Sequence, residues 1–369
     1  YATVDDSTCI YPNYGCLDSL ATNYNSLANI SDSSCIYDVF GCTDSLANNY
    51  NPFATIDDST CLYSPFVFGC TDTSAINYDP LATVDDNSCC YNTALLWNIL
   101  GNRIEGQYLF EESGTSVSLS SDGNTLALGA PYNRADFGSP PDSIGHVRIY
   151  ENISGSWSQI GQDIGGEAAG DYSGKSVSLS SDGNRVAIGA YGNDGNGNDA
   201  GHVRIYENIG GSWIQIGQDI DGEAADDLSG YSVSLSSDGN TVAIGAYGNA
   251  GNGSNSGHVR IYENTSGSWS QIGQDIDGEA TGDLSGASVS LSSDGNTVAI
   301  GAKQNNGNGT DAGHVRIYEN IGGSWSQIGQ DIDGEATNDY SGNSVSLSSD
   351  GNTVAVAAPA FSYMADSSY

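Results

Sequence analysis

Residues 176–190 read SVSLSSDGNRVAIGA, and the chain keeps returning to that phrase. Near-copies stand at 116–130, 232–246, 288–302 and 344–358, and Val177, Val233, Val289 and Val345 fall 56 residues apart. A fixed period of this length marks a propeller or a solenoid. Val-Ser-Leu-Ser alternates large and small side chains, which is the period of a β-strand. Ser-Asp-Gly-Asn supplies a tight turn, because Gly and Asn tolerate positive φ. Thr-Val-Ala-Ile-Gly-Ala then runs back as a second strand. A Gly/Asn loop leads to Gly-His-Val-Arg-Ile-Tyr-Glu, a third strand, and Trp-Ile-Gln-Ile-Gly-Gln-Asp-Ile gives a fourth. Four antiparallel strands per repeat make one propeller blade. The small Ser/Ala/Gly face of each blade leaves room for its neighbour's Val, Leu and Ile. The reading is therefore all-β, a β-propeller over 93–369.

Residues 97–107 (WNILGNRIEGQ) match 157–167 (WSQIGQDIGGE), so the propeller opens on a lone fourth strand. Four full units follow, then two strands of a fifth. Closure by mixing the two ends would produce such a pattern, and seven blades with a missing C-terminal portion is the expectation. The chain starts in mid-repeat and stops in mid-blade, which reads as a piece of a longer or processed chain.

Residues 1–92 carry a shorter repeat: GCLDSLATNYNSLANISDSSCIY at 15–37, GCTDSLANNYNPFATIDDSTCLY at 41–63 and GCTDTSAINYDPLATVDDNSCCY at 69–91. All eight cysteines lie here, as Cys9, Cys16, Cys35, Cys42, Cys61, Cys70, Cys89 and Cys90. Regular spacing of this kind reads as an oxidised disulfide framework in an extracellular setting. Units this small lack a useful core and need staples. Pairing within each copy (Cys16–Cys35, Cys42–Cys61, Cys70–Cys89) closes loops of a size that is worth roughly 3 kcal/mol in the chain-entropy model. Pairing between copies (Cys9–Cys16, Cys35–Cys42, Cys61–Cys70) is the rival, and it forces a strained Cys89–Cys90 bond.

Charge bounds the partners. The chain has 46 acidic and 9 basic residues, a net charge of −37. Nucleic acid and anionic membrane surfaces are poor partners for it, and cations are good ones. No apolar run is long enough to span a bilayer, so direct membrane insertion is not expected. Candidate cation ligands in the short repeats are Asp6, Asp18, Asp32, Asp44, Asp58, Asp72 and Asp86 with Asn23, Asn49 and Asn77. Hard oxygens gathered in a closed loop suit Ca²⁺. The same residue types also make Asx-turns with their own backbone. Asn29, Asn152, Asn252, Asn264 and Asn308 begin Asn-X-Ser/Thr triplets and are glycan candidates in a eukaryotic secretory pathway.

The short repeats resemble the tandem GCTDxxAxNYxPxATxDDxSCxY repeats of large secreted proteins of marine bacteria, algae and giant viruses. A common variant of that family carries two further cysteines, where this chain has Thr22/Ile30, Asn48/Ile56 and Ile76/Val84. The resemblance implies an inner bridge nested in an outer one, which supports pairing within each copy. In the long repeats, Ser-Gly before Ser-Val-Ser, and Gly129-Ala130-Pro131 after the second strand, resemble the FG-GAP repeat of integrin α-type propellers. Ser173, Ser229, Ser285 and Ser341 stand where that family has Phe. The resemblance implies a seven-bladed ring, adhesion, and calcium loops between the second and third strands. The matching stretches are 193–199, with Asp194 and Asp199, then 249–255, which has no Asp, and 305–311, with Asp311.

His146, His202, His258 and His314 recur at one repeat position, with Arg148, Arg204, Arg260 and Arg316 two residues on. Equivalent positions on separate blades stand too far apart to share one ion at about 2 Å, so packing or hydrogen bonding is expected of the histidines. The arginines are expected to pair with Glu151, Glu207, Glu263 and Glu319. Trp157, Trp213, Trp269 and Trp325 read as outer-strand packing or as a carbohydrate platform.

The functional expectation is an extracellular, cell-surface structural or adhesive protein, calcium-stabilised, self-associating into a fibre, hair or matrix. The alternative is a propeller that binds cell-surface glycans or proteins. Catalysis needs an asymmetric constellation of groups, and nearly every polar residue recurs from blade to blade, so the chain is not expected to be an enzyme. Ser-Ser-Asp-Gly-Asn-Thr only faintly resembles the Asp-box turn of sialidases.

Overall fold

The computed structural model describes residues 11–62, 67–73, 75, 77–89, 99–108, 110–133 and 143–359. The chain forms two compact units that divide between residues 98 and 99. Among the described residues there are strands, turns and bends and no helix.

In the first unit the three short repeats fold alike. Tyr14–Gly15, Phe40–Gly41 and Phe68–Gly69 each pair in parallel with a two-residue partner, Ile30–Ser31, Ile56–Asp57 and Val84–Asp85. Disulfides join Cys16–Cys35, Cys42–Cys61 and Cys70–Cys89, so each copy is closed on itself. Cys9 and Cys90 lie outside the described residues. The buried apolar side chains are one cysteine and one alanine per copy: Cys16 with Ala21, Cys42 with Ala47, and Cys70 with Ala75. Such a core is too small to hold a fold, and the covalent staple takes its place.

The second unit repeats one sheet. In the clearest copy the strands are Ser176–Leu179, Arg185–Ala190, His202–Ile209 and Ser212–Gln215, antiparallel and in sequence order. The stretch read as one fourth strand is broken. Gly217 takes φ +79°, Gln215 Nε2 donates to Asp219 Oδ1 across the break at 2.6 Å, and Ile220–Asp221 then returns to the third strand opposite Val203 and His202. Sheets within 116–165, 232–277 and 285–333 follow the same order, and the hairpin Ser344–Leu347/Val354–Ala357 comes last. Residues 99–107 form no strand. Even so, Trp157 donates from its backbone and indole to Asn102 Oδ1 and Leu100 O, as Trp213 donates from its indole to Ile160 O one sheet later.

The core lies between sheets. Ala127, Val147, Ile149 and Ile164 of one sheet pack on Val177, Leu179, Val186, Ile188, Tyr206 and Trp213 of the next. The following pairs repeat this cluster. Polar atoms join the same interface. Leu235 N donates to Ser178 Oγ of the preceding sheet at 2.9 Å, and Ser176 Oγ donates to Gly230 O of the following one at 2.7 Å. Ser181 N donates to Ser237 O, and Ser237 N to Ser293 O. The amides of Leu179, Leu235, Leu291 and Leu347 on the edges of the first strands are thereby satisfied by the preceding sheet, which leaves less unpaired edge exposed. The tryptophans are bolts: Trp213, Trp269 and Trp325 are buried, with indole N–H groups donating to Ile160 O, Ile216 O and Ile272 O of the preceding sheet.

Backbones meet most closely at glycine. A Cβ on Gly129, Gly189, Gly245 or Gly301 would lie 1.9–2.1 Å from the carbonyl oxygen of Gly174, Gly230, Gly286 or Gly342 in the next repeat. Ala357 holds this position in the last hairpin.

Two predictions follow from this packing. Gly245→Ala drives a methyl into Gly286 O and is expected to lower stability by about 3 kcal/mol, the upper end of overpacking costs. Gly165→Ala, with open space at the Cβ and no positive φ, is expected to leave the urea midpoint close to wild type. The second concerns acid. Ser292 Oγ and Asn296 N hold the Asp294 carboxyl below its usual 3.8, against the opposing effect of burial. Asp350 in the last turn is lowered to about 2 by the matching bonds from Ser348 and Asn352. Folding therefore favours the ionised forms, and their contribution is complete above 3.8 and lost as pH falls below it, towards about 2 for Asp350. Asp294→Asn is expected to flatten the acid limb of stability against pH, measured by urea unfolding.

Candidate functional site

The acidic candidates of the first unit act on their own backbone. Asp18 accepts from Leu20 N and from Tyr37 Oη, and Asp32, Asp58 and Asp86 accept from the amides of Ser34, Thr60 and Ser88. Asp44 accepts from Leu46 N, and Asp72 O accepts the Ala75 amide. Asn23 Oδ1 accepts Ile36 N while its Nδ2 donates to Ser34 O, and Asn49 does the same with Leu62 and Thr60. Asn77 Nδ2 donates to Ser88 O. These residues tie the two halves of each copy together beside its disulfide. Asp6 lies outside the described residues.

The loops after the second strands dock on the next repeat. Asp194 Oδ1 accepts Asp199 N at 2.8 Å, and Asp199 sits at φ 52°. Asp311 takes the same φ and donates its N–H to Asn306. Asn196, Asn252 and Asn308 donate from Nδ2 to the backbone oxygens of Gly222, Gly278 and Gly334. The glycan candidates are thus engaged as well. Asn29 Nδ2 donates to Tyr11 O, and Asn152 and Asn264 use Oδ1 to accept Gly155 N and Gly267 N.

The third strand carries a denser polar group. His202, Arg204 and Tyr206 alternate on one face, turned towards the preceding repeat. Arg204 pairs with Glu167 at 3.3 Å, Arg260 with Glu223 at 3.4 Å and Arg316 with Glu279 at 3.5 Å. Arg148 pairs with Glu111 at 3.0 Å, both side chains buried. The expected partners Glu151, Glu207, Glu263 and Glu319 are thus replaced. They stand three residues beyond the arginine on the same strand, which puts them on the opposite face; Glu207 pairs with Arg185 instead.

Each histidine of the three later sheets meets carboxylates in place of other histidines. His202 groups with Glu167 and Asp219, His258 with Glu223 and Asp275, and His314 with Glu279 and Asp331. In each trio the potential ligand atoms lie within 4.8 Å of one another, so the trio could hold a metal ion. The separations from Nδ1 are 3.8 Å to Asp219, 3.9 Å to Glu223 and to Asp275, 3.9 Å to Glu279 and 3.7 Å to Asp331. Burial, then the neighbouring Arg204, holds the His202 imidazole below its ordinary value, and His258 and His314 follow with Arg260 and Arg316. The rings are neutral near pH 7. Sequence reasoning missed these trios because the glutamate comes from the linker before the sheet.

One cluster breaks the repeat. Tyr132, Tyr172, Tyr191, Tyr231 and Tyr247 form a row with ring centroids 5.5, 5.2, 5.8 and 4.4 Å apart. Lys175 Nζ lies over Tyr231 at 5.1 Å. Lys303 stands at the repeat position of Tyr191 and Tyr247, and burial followed by the charge of Lys175 holds its ammonium below the usual range. Lys175 and Lys303 are the only lysines in the sequence. At the opposite end of the first strands, Leu119, Leu179, Leu235, Leu291 and Leu347 line a cavity of about 180 Å³ with serines and no ionisable side chain.

The family model of the FG-GAP repeat matches residues 165–206 and 220–262, so the chain carries FG-GAP repeats there. No curated protein matches the sequence. The periplasmic gluconolactonase of Pseudomonas aeruginosa is 18% identical, covers 60% of this chain and 57% of its own, and gives a TM-score of 0.41. A putative 6-phosphogluconolactonase from Bacteroides uniformis is 14% identical, covers 65% and 57%, and gives 0.40. The chain thus spans 57% of each of these proteins. Both neighbours are named as lactonases, and the expectation that this chain is not an enzyme is withdrawn. Repetition is also incomplete, since the tyrosine–lysine cluster is asymmetric from repeat to repeat. Scores this low assign no activity to this chain.

The arginine pairs differ in exposure, which sets a test. Glu111→Gln strands the buried Arg148 charge and is expected to cost about 3–5 kcal/mol. Glu167, half exposed at 48%, is expected to cost no more than about 1 kcal/mol when changed to Gln. Urea unfolding of the two variants measures the difference.

Proposed function

We propose that the chain is an extracellular adhesive protein whose sheet-bearing unit binds an anionic glycan, of the uronate class, at the tyrosine–lysine row. The observation that carries this reading is Lys175, its Nζ 5.1 Å over the Tyr231 ring in a row of five tyrosines, with Lys303 of another repeat near enough to feel its charge, in a chain of net charge −37. Among the described residues neither ammonium has a carboxylate partner within salt-bridge distance. Tyrosine faces stack on sugar rings, and ammonium groups pair with carboxylates. A propeller of seven blades, of which these sheets form part, is included in the proposal, as is the secreted setting supported by three disulfides. No helix of the described residues is long and apolar enough to cross a membrane.

Self-association into a fibre or matrix is the second reading, and a specific observation favours it. Leu27, Phe53 and Leu81, at one position of the short repeat, are 78%, 79% and 63% exposed. Calcium as a structural cation of the acidic units belongs to the same proposal, and a melting temperature that falls with chelator and recovers with Ca²⁺ supports it.

Oligogalacturonate titrated calorimetrically into the full chain tests the main reading, with neutral dextran as control. Binding to the former alone, weakened at least tenfold in Lys175→Gln/Lys303→Gln, is expected. Equal binding by that double variant, or none by the wild type, rejects the site. Sedimentation of Phe53→Ser against wild type tests assembly.

A further inference from the structure

We infer that the three histidine–carboxylate trios are equivalent binding sites for a divalent transition-metal cation of the zinc class, each fastening the linker that enters a sheet to that sheet. Every trio draws one ligand from the linker (Glu167, Glu223 or Glu279), one from the third strand (His202, His258 or His314) and one from the break in the fourth (Asp219, Asp275 or Asp331). The histidines are 1% exposed, and their carboxylate partners are partly open to solvent, so an ion has an approach path. His202 Nδ1 is buried without a hydrogen-bond partner and faces Asp219 Oδ2 at 3.8 Å and Asp221 Oδ1 at 4.0 Å. A buried polar nitrogen left unmatched is costly, and a cation among the three groups removes that cost.

The carboxylates are already aimed. Glu223 uses Oε1 for Arg260 and turns Oε2 to His258, and Glu279 does the same with Arg316 and His314. Asp275 and Asp331 accept Gln271 Nε2 and Gln327 Nε2 on Oδ1 at 2.6 Å, leaving Oδ2 towards the histidine. Outer partners that fix one oxygen of a ligand are characteristic of metal sites. The Nδ1-to-oxygen separations of 3.7–3.9 Å exceed the edge of a tetrahedron with bonds of about 2.1 Å, which is about 3.4 Å. A few tenths of an ångström in an exposed carboxylate closes that gap. One imidazole with two carboxylates suits Zn²⁺ or Co²⁺, with water as fourth ligand. Calcium prefers six to eight oxygens, which this set does not offer.

The first sheet supplies a natural control. His146 and Asp163 are present, and Gln159 Nε2 donates to Asp163 Oδ1 at 2.6 Å, but Gln107 stands where the later repeats have glutamate.

The test is calorimetric titration of the disulfide-intact, EDTA-treated full chain with Zn²⁺, paralleled by Co²⁺ absorption. Three equivalents are expected, with a raised melting temperature. Asp275→Asn is expected to reduce the count to two, Asp219→Asn/Asp275→Asn/Asp331→Asn to abolish binding with the circular dichroism unchanged, and Gln107→Glu to add a fourth equivalent. Absence of Zn²⁺ binding, or binding that survives the triple variant, overturns the assignment. So does a triple variant that has lost the wild-type spectrum if Gln107→Glu also adds no equivalent.

Discussion

Contact between the backbones of successive repeats is the constraint from which the second unit is built. A glycine in the second strand presses against a glycine carbonyl of the following repeat, with no room for a methyl between them. That approach fixes the spacing of the sheets. The serines of Ser-Val-Ser-Leu reach across at this spacing, one to a carbonyl and one to an amide, and the valines and leucines between them meet the neighbouring isoleucines. Tryptophan and glutamine fix the outer rim in the same way, with Gln162 Nε2 donating to Trp213 O. Each sheet is thus completed by its neighbours.

The acidic excess has a structural logic at this scale. Many aspartates cap turns within two residues of themselves, where their charge faces water and costs little. The third-strand arginines are kept for the interior of the repeat contacts, where a planar cation reaches a carboxylate and a backbone carbonyl together: Arg260 bonds Glu223 and Asp221 O. Lys175, free of such duties, stands over the Tyr231 ring.

The strand order was legible because alternation and turn chemistry are local. Val177, Leu179 and the Ser-Asp-Gly-Asn turn announce a hairpin wherever they occur. Cysteine spacing likewise left two pairings, of which the structure has the one inside each copy. The break in the fourth strand was not legible, since Gly217 looks like any glycine in a strand. Pairing across repeats was harder still. The partner of Arg204 is 37 residues back, and only the face on which the arginine stands excludes the nearer Glu207. The tyrosine row was hidden for the same reason: Tyr172 and Tyr191 are distant in sequence and stack at 5.2 Å in space. Repetition drew the eye to what recurs in every copy, whereas Tyr172, Tyr231 and the lysines of this cluster do not.

Ala357 gives the repeats a grammar of position. Units ending on Gly189, Gly245 or Gly301 are interchangeable parts, since each presents the bare surface its successor requires. The hairpin that carries Ala357 is not, because a repeat packed on it in the same way would meet its methyl group. Anyone cutting and splicing this chain into longer or shorter arrays could duplicate the former freely, and would have to shave the latter before moving it inward.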